Sequence, residues 1–288
     1  MTENTYKSYA HVKLTDKEFS KLSKFIHTEY GIKMPPAKKT MLEARLQKRL
    51  KTLDFISFTD YSKYLFSPEG VRDELVHMVD MVTTNKTDFF RESTHFDYLV
   101  RQTLPDLHES YNAGYRGPLK IWSAGCSSGE EPYTMAMVLE DYAEAHPGFM
   151  YSILGTDISS RMLESARMAI YSEARVEPVS KIMKKRYLLR SKDKKKENVR
   201  IVPALRSKVS FQRLNFMDDY YEIRDMMHII FCRNVIIYFD RPTQEKLLRH
   251  LAKHLMKDGY IFMGHSETLS GLDVPFKQVA STVYKKVG

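Results

Sequence analysis

The sequence predicts an α/β protein: a parallel sheet covered by helices, preceded by an all-helical N-terminal domain and interrupted by a small antiparallel β insertion. Three observations lead there. From Asp16 to Val82 apolar residues recur at helical spacing. From Leu119 onward strand-like and helix-like segments alternate, as in strands joined by crossover helices. Between about Lys184 and Phe211 the alternation breaks, and a highly charged tip separates two short strand-like pieces.

Each element has its own signature. Asp16 to His27 places Phe19, Leu22, Phe25 and Ile26 at helical spacing, and the Gly31–Pro36 turn closes that helix. Lys38 to Leu53 carries Leu42, Leu46, Leu50 and Leu53 in one stripe, with Lys38, Arg45 and Arg49 together beside it and Lys48 close by. A solvated edge on an amphipathic helix accounts for that cluster, and a docking face for an acidic partner is the functional alternative. Phe58–Leu65 and Arg72–Val82 read as two further helices. Thr83 to Arg91 is rich in β-branched and turn-forming residues, then aromatic, and reads as a loop running into a helix from about Glu92 to Leu104. After the polar connection Asn112–Pro118 come strand Leu119–Ala124, helix Glu131–Ala145, strand Tyr151–Thr156 and helix Ser159–Ala169. The insertion follows, with strand-like pieces Tyr187–Leu189 and Val199–Val202 and a tip, Ser191–Asn198, that is expected to be mobile. Strand Met227–Cys232, helix Thr243–Met256 and strand Tyr260–Gly264 complete the alternation. Phe276–Val287 alternates and carries lysines near its end, which suits a closing edge strand.

Composition bounds the function. At 288 residues the chain holds one large or two modest domains. Hydrophobic content of 43% and charged content of 28% suit a water-soluble globular protein. No apolar run is long enough to span a bilayer, and Met1–Ala10 is mostly polar with no signal-peptide pattern. The two cysteines, Cys126 and Cys232, lie inside strand–loop motifs, so a reducing cytoplasm is expected rather than a disulfide framework. A formal charge of +9 favours acidic partners without choosing among nucleic acid, an anionic membrane surface and a Glu-rich protein.

The most informative segment runs from Ile121 to Tyr133: a buried strand, the small-residue loop Gly125-Cys126-Ser127-Ser128-Gly129, then a helix opening on Glu130 and Glu131. Asp157 ends the next apolar run. Strand, loop, helix, strand and acid is the layout of a Rossmann-like nucleoside-binding crossover, where small residues let the backbone approach a ligand and the acid accepts ribose hydroxyls. The full G-x-G-x-x-G pattern is absent, and two carboxylates would repel a pyrophosphate. A nucleoside without phosphates fits better, and a cationic one best; S-adenosylmethionine has both properties. Glu131 could equally be a first-turn acid favoured by the helix dipole, and Asp157 an N-cap for the Ser159 helix.

Other constellations weigh less. Phe231–Phe239 ends a buried strand with polar groups, so Arg233 and Asn234 could bind ligand and Tyr238 could reach a cleft, although a core tyrosine competes. Cys232 reads as a small buried residue rather than a nucleophile. His250 and His254 have metal-pair spacing but no acidic third ligand, which favours a solvated face and no metal site. Gly264-His265-Ser266-Glu267 holds triad residue types too close in sequence to form a triad, and is expected to line the cleft.

Four blocks together resemble the CheR-type methyltransferases, S-adenosylmethionine-dependent enzymes that methylate glutamates of bacterial chemoreceptors. They are Thr83-Thr84-Asn85…Thr87…Phe89-Phe90-Arg91, Trp122 to Tyr133, Phe231-Cys232-Arg233-Asn234-Val235…Ile237-Tyr238-Phe239, and Gly264 to Glu267. The resemblance runs from about Leu14 to Tyr284. It implies a helical domain over residues 1–82 and a methyltransferase domain over 83–288 with the β insertion at about 184–211. It further implies that Asn85, Thr87, Arg91, Glu131, Asp157, Asn215, Phe216, Arg233 and Asn234 contact the cofactor, and that Arg91 and Tyr238 assist transfer. The basic helix Lys38–Leu53 would be the docking surface for the methylation helices of chemoreceptors, and the enzyme a cytoplasmic monomer. In some members the insertion also binds a receptor's C-terminal peptide through a glycine-containing loop; here the tip has four lysines and no glycine, a departure that speaks against tethering. Two rivals stay in view. A nucleic-acid methyltransferase would explain the charge, but no Asn-Pro-Pro-Tyr or Asp-Pro-Pro-Tyr element for a flipped base is present. A cofactor-sensing adaptor would not need both Arg91 and Tyr238.

Overall fold

The structure, a computed structural model, describes residues 12–193, 195 and 197–288. The polar segment Met1–Ala10 and two lysines of the insertion tip, Lys194 and Lys196, lie outside the described residues. Two compact units meet in sequence at Thr84 and Asn85.

The described residues of the first unit are helical: α1 (Asp16–Tyr30), α2 (Lys39–Thr52), α3 (Phe58–Leu65), α4 (Pro68–Asp73) and α5 (Leu75–Val82). Local chemistry sets the boundaries. Thr15 and Glu18 form a capping box on α1, Ser57 caps α3, and Ser67 followed by Pro68 starts α4. The single helix expected over Arg72–Val82 is thus two, because the Ser67–Pro68 start signal lies upstream of that window. Leu22, Ile26, Leu42, Leu46, Leu50, Phe58, Tyr61 and Leu65 are buried and form the unit's interior.

The basic cluster of α2 divides. Arg45 turns inward, its Nη1 donating to the carbonyls of Val82 and Thr83 at 2.6 and 3.1 Å and its Nη2 to Thr84 Oγ1 at 3.2 Å. Arg49 donates Nε and Nη2 to the two oxygens of Glu74 at 2.9 and 2.5 Å. Glu74 also accepts the Tyr61 hydroxyl at 2.9 Å. Lys48 and Lys51 remain exposed. The expectation that Arg45 and Arg49 share one outward basic edge is therefore corrected: long side chains reach backbone carbonyls and a buried acid that a helical wheel does not display.

The second unit begins with α6 (Thr94–Tyr98), a π-helical turn over Leu99–Thr103 and α7 (Leu104–Tyr111). Then come β1 (Leu119–Ala124), α8 (Glu130–Ala145), β2 (Tyr151–Asp157), α9 (Ser160–Met168), β3 (Ile170–Ser172), α10 (Lys181–Tyr187), β4 (Leu188–Arg190), β5 (Asn198–Ile201), α11 (Pro203–Arg206), β6 (Val209–Arg213), β7 (Met227–Cys232), α12 (Arg241–His254), β8 (Leu255–Met263), β9 (Phe276–Ala280) and β10 (Val283–Lys286). The main sheet has seven strands in the order β6-β2-β1-β7-β8-β10-β9, parallel from β6 to β8 and antiparallel beyond. Ile121, Trp122, Ile153, Ile229, Ile230, Phe231, Ile261 and Phe262 are buried along its central strands, as a sheet covered on both faces requires. From β1 the chain moves outward to β2 and β6, then returns to place β7 on the other side of β1. The crevice at that reversal, outside the carboxyl ends of β1 and β7, is where an open α/β sheet binds ligands.

Three expectations need correction. The insertion starts earlier than Lys184: its sheet, ordered β3-β5-β4, includes Ile170–Ser172, a strand too short to show a period. Val209–Phe211 belongs to the main sheet, since β6 pairs with β2 from Ile153↔Val209 to Asp157↔Arg213. Phe276–Val287 is a hairpin rather than one edge strand, with β9 outermost and a register shift between Val283 and Tyr284. The lysines near its end do not blunt an edge: Lys285 Nζ pairs with Asp106 at 2.8 Å, and Lys286 Nζ donates to the Ala252 and Leu255 carbonyls at 2.8 and 2.7 Å.

Candidate active site

The loop after β1 is held by its own backbone. Gly125 N and Cys126 N both donate to the Thr156 carbonyl, at 2.8 and 2.9 Å, which ties the loop to the end of β2. Gly125 and Gly129 have φ of 87° and 94°, in the left-handed region that glycine adopts without a Cβ clash. Space forbids a side chain too: a Cβ on Gly125 would lie 2.5 Å from Val235 Cγ2, and one on Gly129 2.9 Å from Ala166 Cβ.

Asp157 closes this loop from the neighbouring strand. Its Oδ2 accepts Ser127 N at 2.8 Å and its Oδ1 accepts Ser159 N at 2.9 Å. The N-cap of α9 is Ser159, whose side chain accepts Met162 N. Asp157 is buried at the carboxyl end of β2 and fixes the loop whose backbone would face a ligand.

Glu131 sits one residue inside α8. Ser123 Oγ donates to its Oε1 at 2.6 Å and Arg233 Nε to its Oε2 at 2.6 Å. A carboxylate oxygen accepts two hydrogen bonds, so these contacts leave Glu131 with acceptor capacity for a ligand amine. Arg233 is the hub of the site. Its Nη1 donates to the Arg91 carbonyl at 2.7 Å and lies 3.2 Å from His95 Nδ1 and 3.5 Å from Glu92 Oε2. Its contacts run to protein atoms on two other segments, Arg91–His95 and Glu131 of α8, a bracing arrangement that reading it as a ligand contact did not anticipate.

Several residues of this network were not singled out in the sequence. Glu92, the residue after Arg91, accepts His265 N at 3.2 Å and Asn234 Nδ2 at 3.4 Å. Burial pushes its carboxyl up, but the His265 backbone donor and the Arg233 charge outweigh that and leave it below the usual range. Burial first, then the Arg233 charge, pulls His95 down to about 4. His95 Nε2 lies 2.8 Å from Thr282 Oγ1, whose hydroxyl donates to the Ser281 carbonyl. The neutral tautomer with its proton on Nε2 satisfies both ring nitrogens. Glu267 gathers three backbone donors: Gly264 N and Asn234 N at 2.7 Å each, and Ile236 N at 2.9 Å. It thereby staples the loop after β7 to the loop after β8, and Asn234 sits there at φ 58°. The Gly264–Glu267 block signalled this cleft-side position without revealing the staple.

The remaining expected residues fall around the same edge. Asn85, Thr87, Arg91, Asn215, Phe216 and Tyr238 are all half-buried. The Asn85 carbonyl accepts Ser127 Oγ at 2.9 Å, which joins the segment before α6 to the β1 loop. Arg91 Nη1 donates to the Lys86 carbonyl at 3.0 Å. Asn215 and Phe216 follow β6, where Leu214 N donates to the Asp157 carbonyl at 3.0 Å. Tyr238 ends the short 3-10 turn Ile236–Tyr238 after β7.

The thiols and the histidine pair stand in packed surroundings. Cys126 and Cys232 are fully buried, and burial with the nearby acids raises both well above the usual thiol range. The solvated face expected for His250 and His254 is only partial: both are half-buried and pack on Tyr221, with ring centroids at 5.3 and 5.6 Å, and His254 also meets Trp122. Glu92, His95 and His265 bring possible metal-ligand atoms within 4.8 Å of one another. The Arg233 guanidinium already stands against Glu92 Oε2 and His95 Nδ1 and supplies the positive charge a metal would bring.

Comparison with known proteins finds relatives along nearly the whole chain. Residues 85–285 match the family described as "CheR methyltransferase, SAM binding domain", and residues 17–83 match "CheR methyltransferase, all-alpha domain". The chain is 39% identical to the chemotaxis protein methyltransferase of Borreliella burgdorferi, covering 99% of this chain and 100% of that protein. It is 34% identical to the Escherichia coli protein of the same name, covering 94% of this chain and 91% of that one. Among solved structures, a magnesium protoporphyrin IX methyltransferase from Synechocystis PCC 6803 with bound SAH aligns at TM-score 0.32 and 14% identity, covering 71% of this chain and 70% of that one.

Proposed function

The chain belongs to the CheR methyltransferase family and is an S-adenosylmethionine-dependent methyltransferase of chemotaxis, and from that premise we propose that it converts glutamate side chains of membrane chemoreceptors to methyl esters. The observation that carries this reading is the convergence of two buried acids, Glu131 and Asp157, with the Arg91 and Tyr238 segments at one sheet edge. Residues 1–82 would dock the acceptor and residues 83–288 would perform transfer. No helix among the described residues is long and apolar enough to cross a membrane. In this reading the enzyme works from the cytoplasm on the receptors' methylation helices, as a monomer and without binding nucleic acid.

The donor set suits the cofactor, which supplies a methyl group on a cationic sulfur. Glu131 would accept its amino group and Asp157 its ribose hydroxyls, with Asn85, Thr87, Asn215, Phe216, Arg233 and Asn234 completing the surroundings. The acceptor glutamate has an ordinary pKa of about 4.3, so it arrives as an anion and no general base is needed. What remains for the protein is alignment within roughly 3–3.5 Å and exclusion of water. Arg91 would steer the carboxylate without gripping both oxygens, since a bidentate clamp would blunt the nucleophile. Tyr238 would orient the acceptor through its hydroxyl. The exposed lysines of α2, Lys48 and Lys51, are the cations we assign to the acidic methylation helices, together with the part of the cluster that stays at the surface.

Incubation with labelled S-adenosylmethionine and purified receptor cytoplasmic fragments tests the reading. Base-labile label on the fragment supports a glutamate ester. Base-stable label, label on nucleic acid, or no label at all would refute it.

A further inference from the structure

Glu130, the first residue of α8, has no exposed surface. Its Oε2 accepts Ser128 Oγ at 2.7 Å. Its Oε1 forms no hydrogen bond of good angle but lies 2.5 Å from Arg175 Nη2. Arg175 belongs to the β insertion, in the turn after β3, where its backbone N donates to the Ser172 carbonyl at 3.0 Å. The same Nη2 donates to the Thr87 carbonyl at 3.2 Å. Tyr171 reinforces the bridge: its hydroxyl donates to the Ser128 carbonyl at 2.7 Å, and its ring meets Phe89 edge-on at 5.0 Å. The turn after β3 therefore touches both the Thr87–Phe89 segment and the Ser128–Glu130 loop.

We propose that Arg175 is a positioning residue for methyl transfer: reaching out of the β insertion, it clamps the Glu130 carboxylate and the Thr87 carbonyl and holds the two segments flanking the cofactor in one arrangement. This rests on the S-adenosylmethionine reading of the site. The physical reason is the asymmetry of the pair. Arg175 is part-exposed, and an exposed ion pair contributes little, but its partner is a carboxylate with no access to water. The groups facing Glu130 make Arg175 hard to replace. Asp88 is acidic and opposes the charge, Ser128 supplies one hydrogen bond, and the Tyr171 phenol and Cys126 thiol are held neutral by burial. The helix N-terminus favours the anion, yet burial still leaves the Glu130 carboxyl above its ordinary range.

Calorimetry of S-adenosylhomocysteine binding to the full chain, from about pH 6 to about pH 9, tests the inference. Arg175→Ala should weaken binding by about tenfold or more near neutrality, the scale of a lost charged hydrogen bond. The loss should deepen as pH rises, because without the guanidinium Glu130 is tolerated only while protonated. Arg175→Lys should recover most of the affinity. Arg175→Ala combined with Glu130→Gln should flatten the pH dependence, since the neutral amide keeps the Ser128 contact without a charge. A loss that is independent of pH and indifferent to Glu130→Gln would reduce Arg175 to a structural contact and overturn the proposal. So would an Arg175→Ala chain that binds like the wild type. If the wild type itself gave no heat, the cofactor reading would fall and this inference with it.

Discussion

Arg49 and Arg233 each bury a guanidinium against a glutamate, one in the helical unit and one at the carboxyl edge of the main sheet. Arg49 spends both Nε and Nη2 on Glu74, and the Tyr61 hydroxyl takes a further site on that carboxylate. That cluster looks inward and joins α2 to the start of α5. Arg233 instead gives Nε to Glu131 and spreads Nη1 over the Arg91 carbonyl, His95 and Glu92. It braces segments that arrive from β1, β7 and the stretch before α6, and leaves its carboxylate partner able to accept another donor. The difference separates a pair that stabilises a fold from a pair that shapes a site.

The largest test of that contrast is Arg49→Met. Glu74 would keep a buried charge with no cation, which should cost about 3–5 kcal/mol in denaturant unfolding. S-adenosylhomocysteine affinity of the folded fraction should not change. Arg49→Met with Glu74→Leu should recover most of the stability, because an apolar pair of similar volume removes the stranded charge. A single variant as stable as the wild type would show the pair to be idle.

Next in size is a pH effect of the Arg233 network, carried by His95 and added to contributions of the same sign from His228, His250 and His254, whose burial also lowers them. His95 is held neutral with a pKa of about 4, against an ordinary value of 6.5, so the unfolded chain binds more protons between those values. Stability should be complete above about pH 6.5 and fall by on the order of 3 kcal/mol as pH drops towards 4. His95→Gln should flatten that portion of the unfolding profile. A slope unchanged in the variant would place the titration elsewhere.

A third test separates chemistry from binding within the site. Arg91→Ala should lower kcat on the order of a hundredfold, and Tyr238→Phe about tenfold, while the affinity for S-adenosylhomocysteine changes less. Equal losses of turnover and affinity would demote both residues to cofactor contacts. The smallest effect belongs to the α2 surface. Lys48→Glu and Lys51→Glu should each raise KM for receptor fragments a few-fold, under about 1 kcal/mol, and the effect should shrink in high salt. No change in KM at low salt would move the docking surface off α2.

Strand positions were legible where burial is two-sided. Leu119–Ala124 and Met227–Cys232 coincide with β1 and β7, because buried parallel strands read as continuous apolar runs bounded by loops. The short strand Ile170–Ser172 was not legible, since three residues carry no period and β3 is defined by its pairing with β5. Asp157, Glu131, Arg233 and Asn234 were visible as candidates because each ends a strand or opens a helix. The roles of Glu92 and Glu267 were hidden, for they consist of accepting backbone donors from loops distant in sequence, such as His265 N and Asn234 N.

Taken alone, the order of residues determined the two-part architecture, the nucleoside-type loop and the family, because these depend on local periodicity and on contiguous motifs. Only the folded chain decided which charges face a ligand and which face one another. Arg45 and Arg49 share a helical edge with Lys48, yet they turn to carbonyls and a buried acid contributed by residues far along the chain. A long side chain chooses its partner in three dimensions, and no spacing along one helix encodes what the next helix offers.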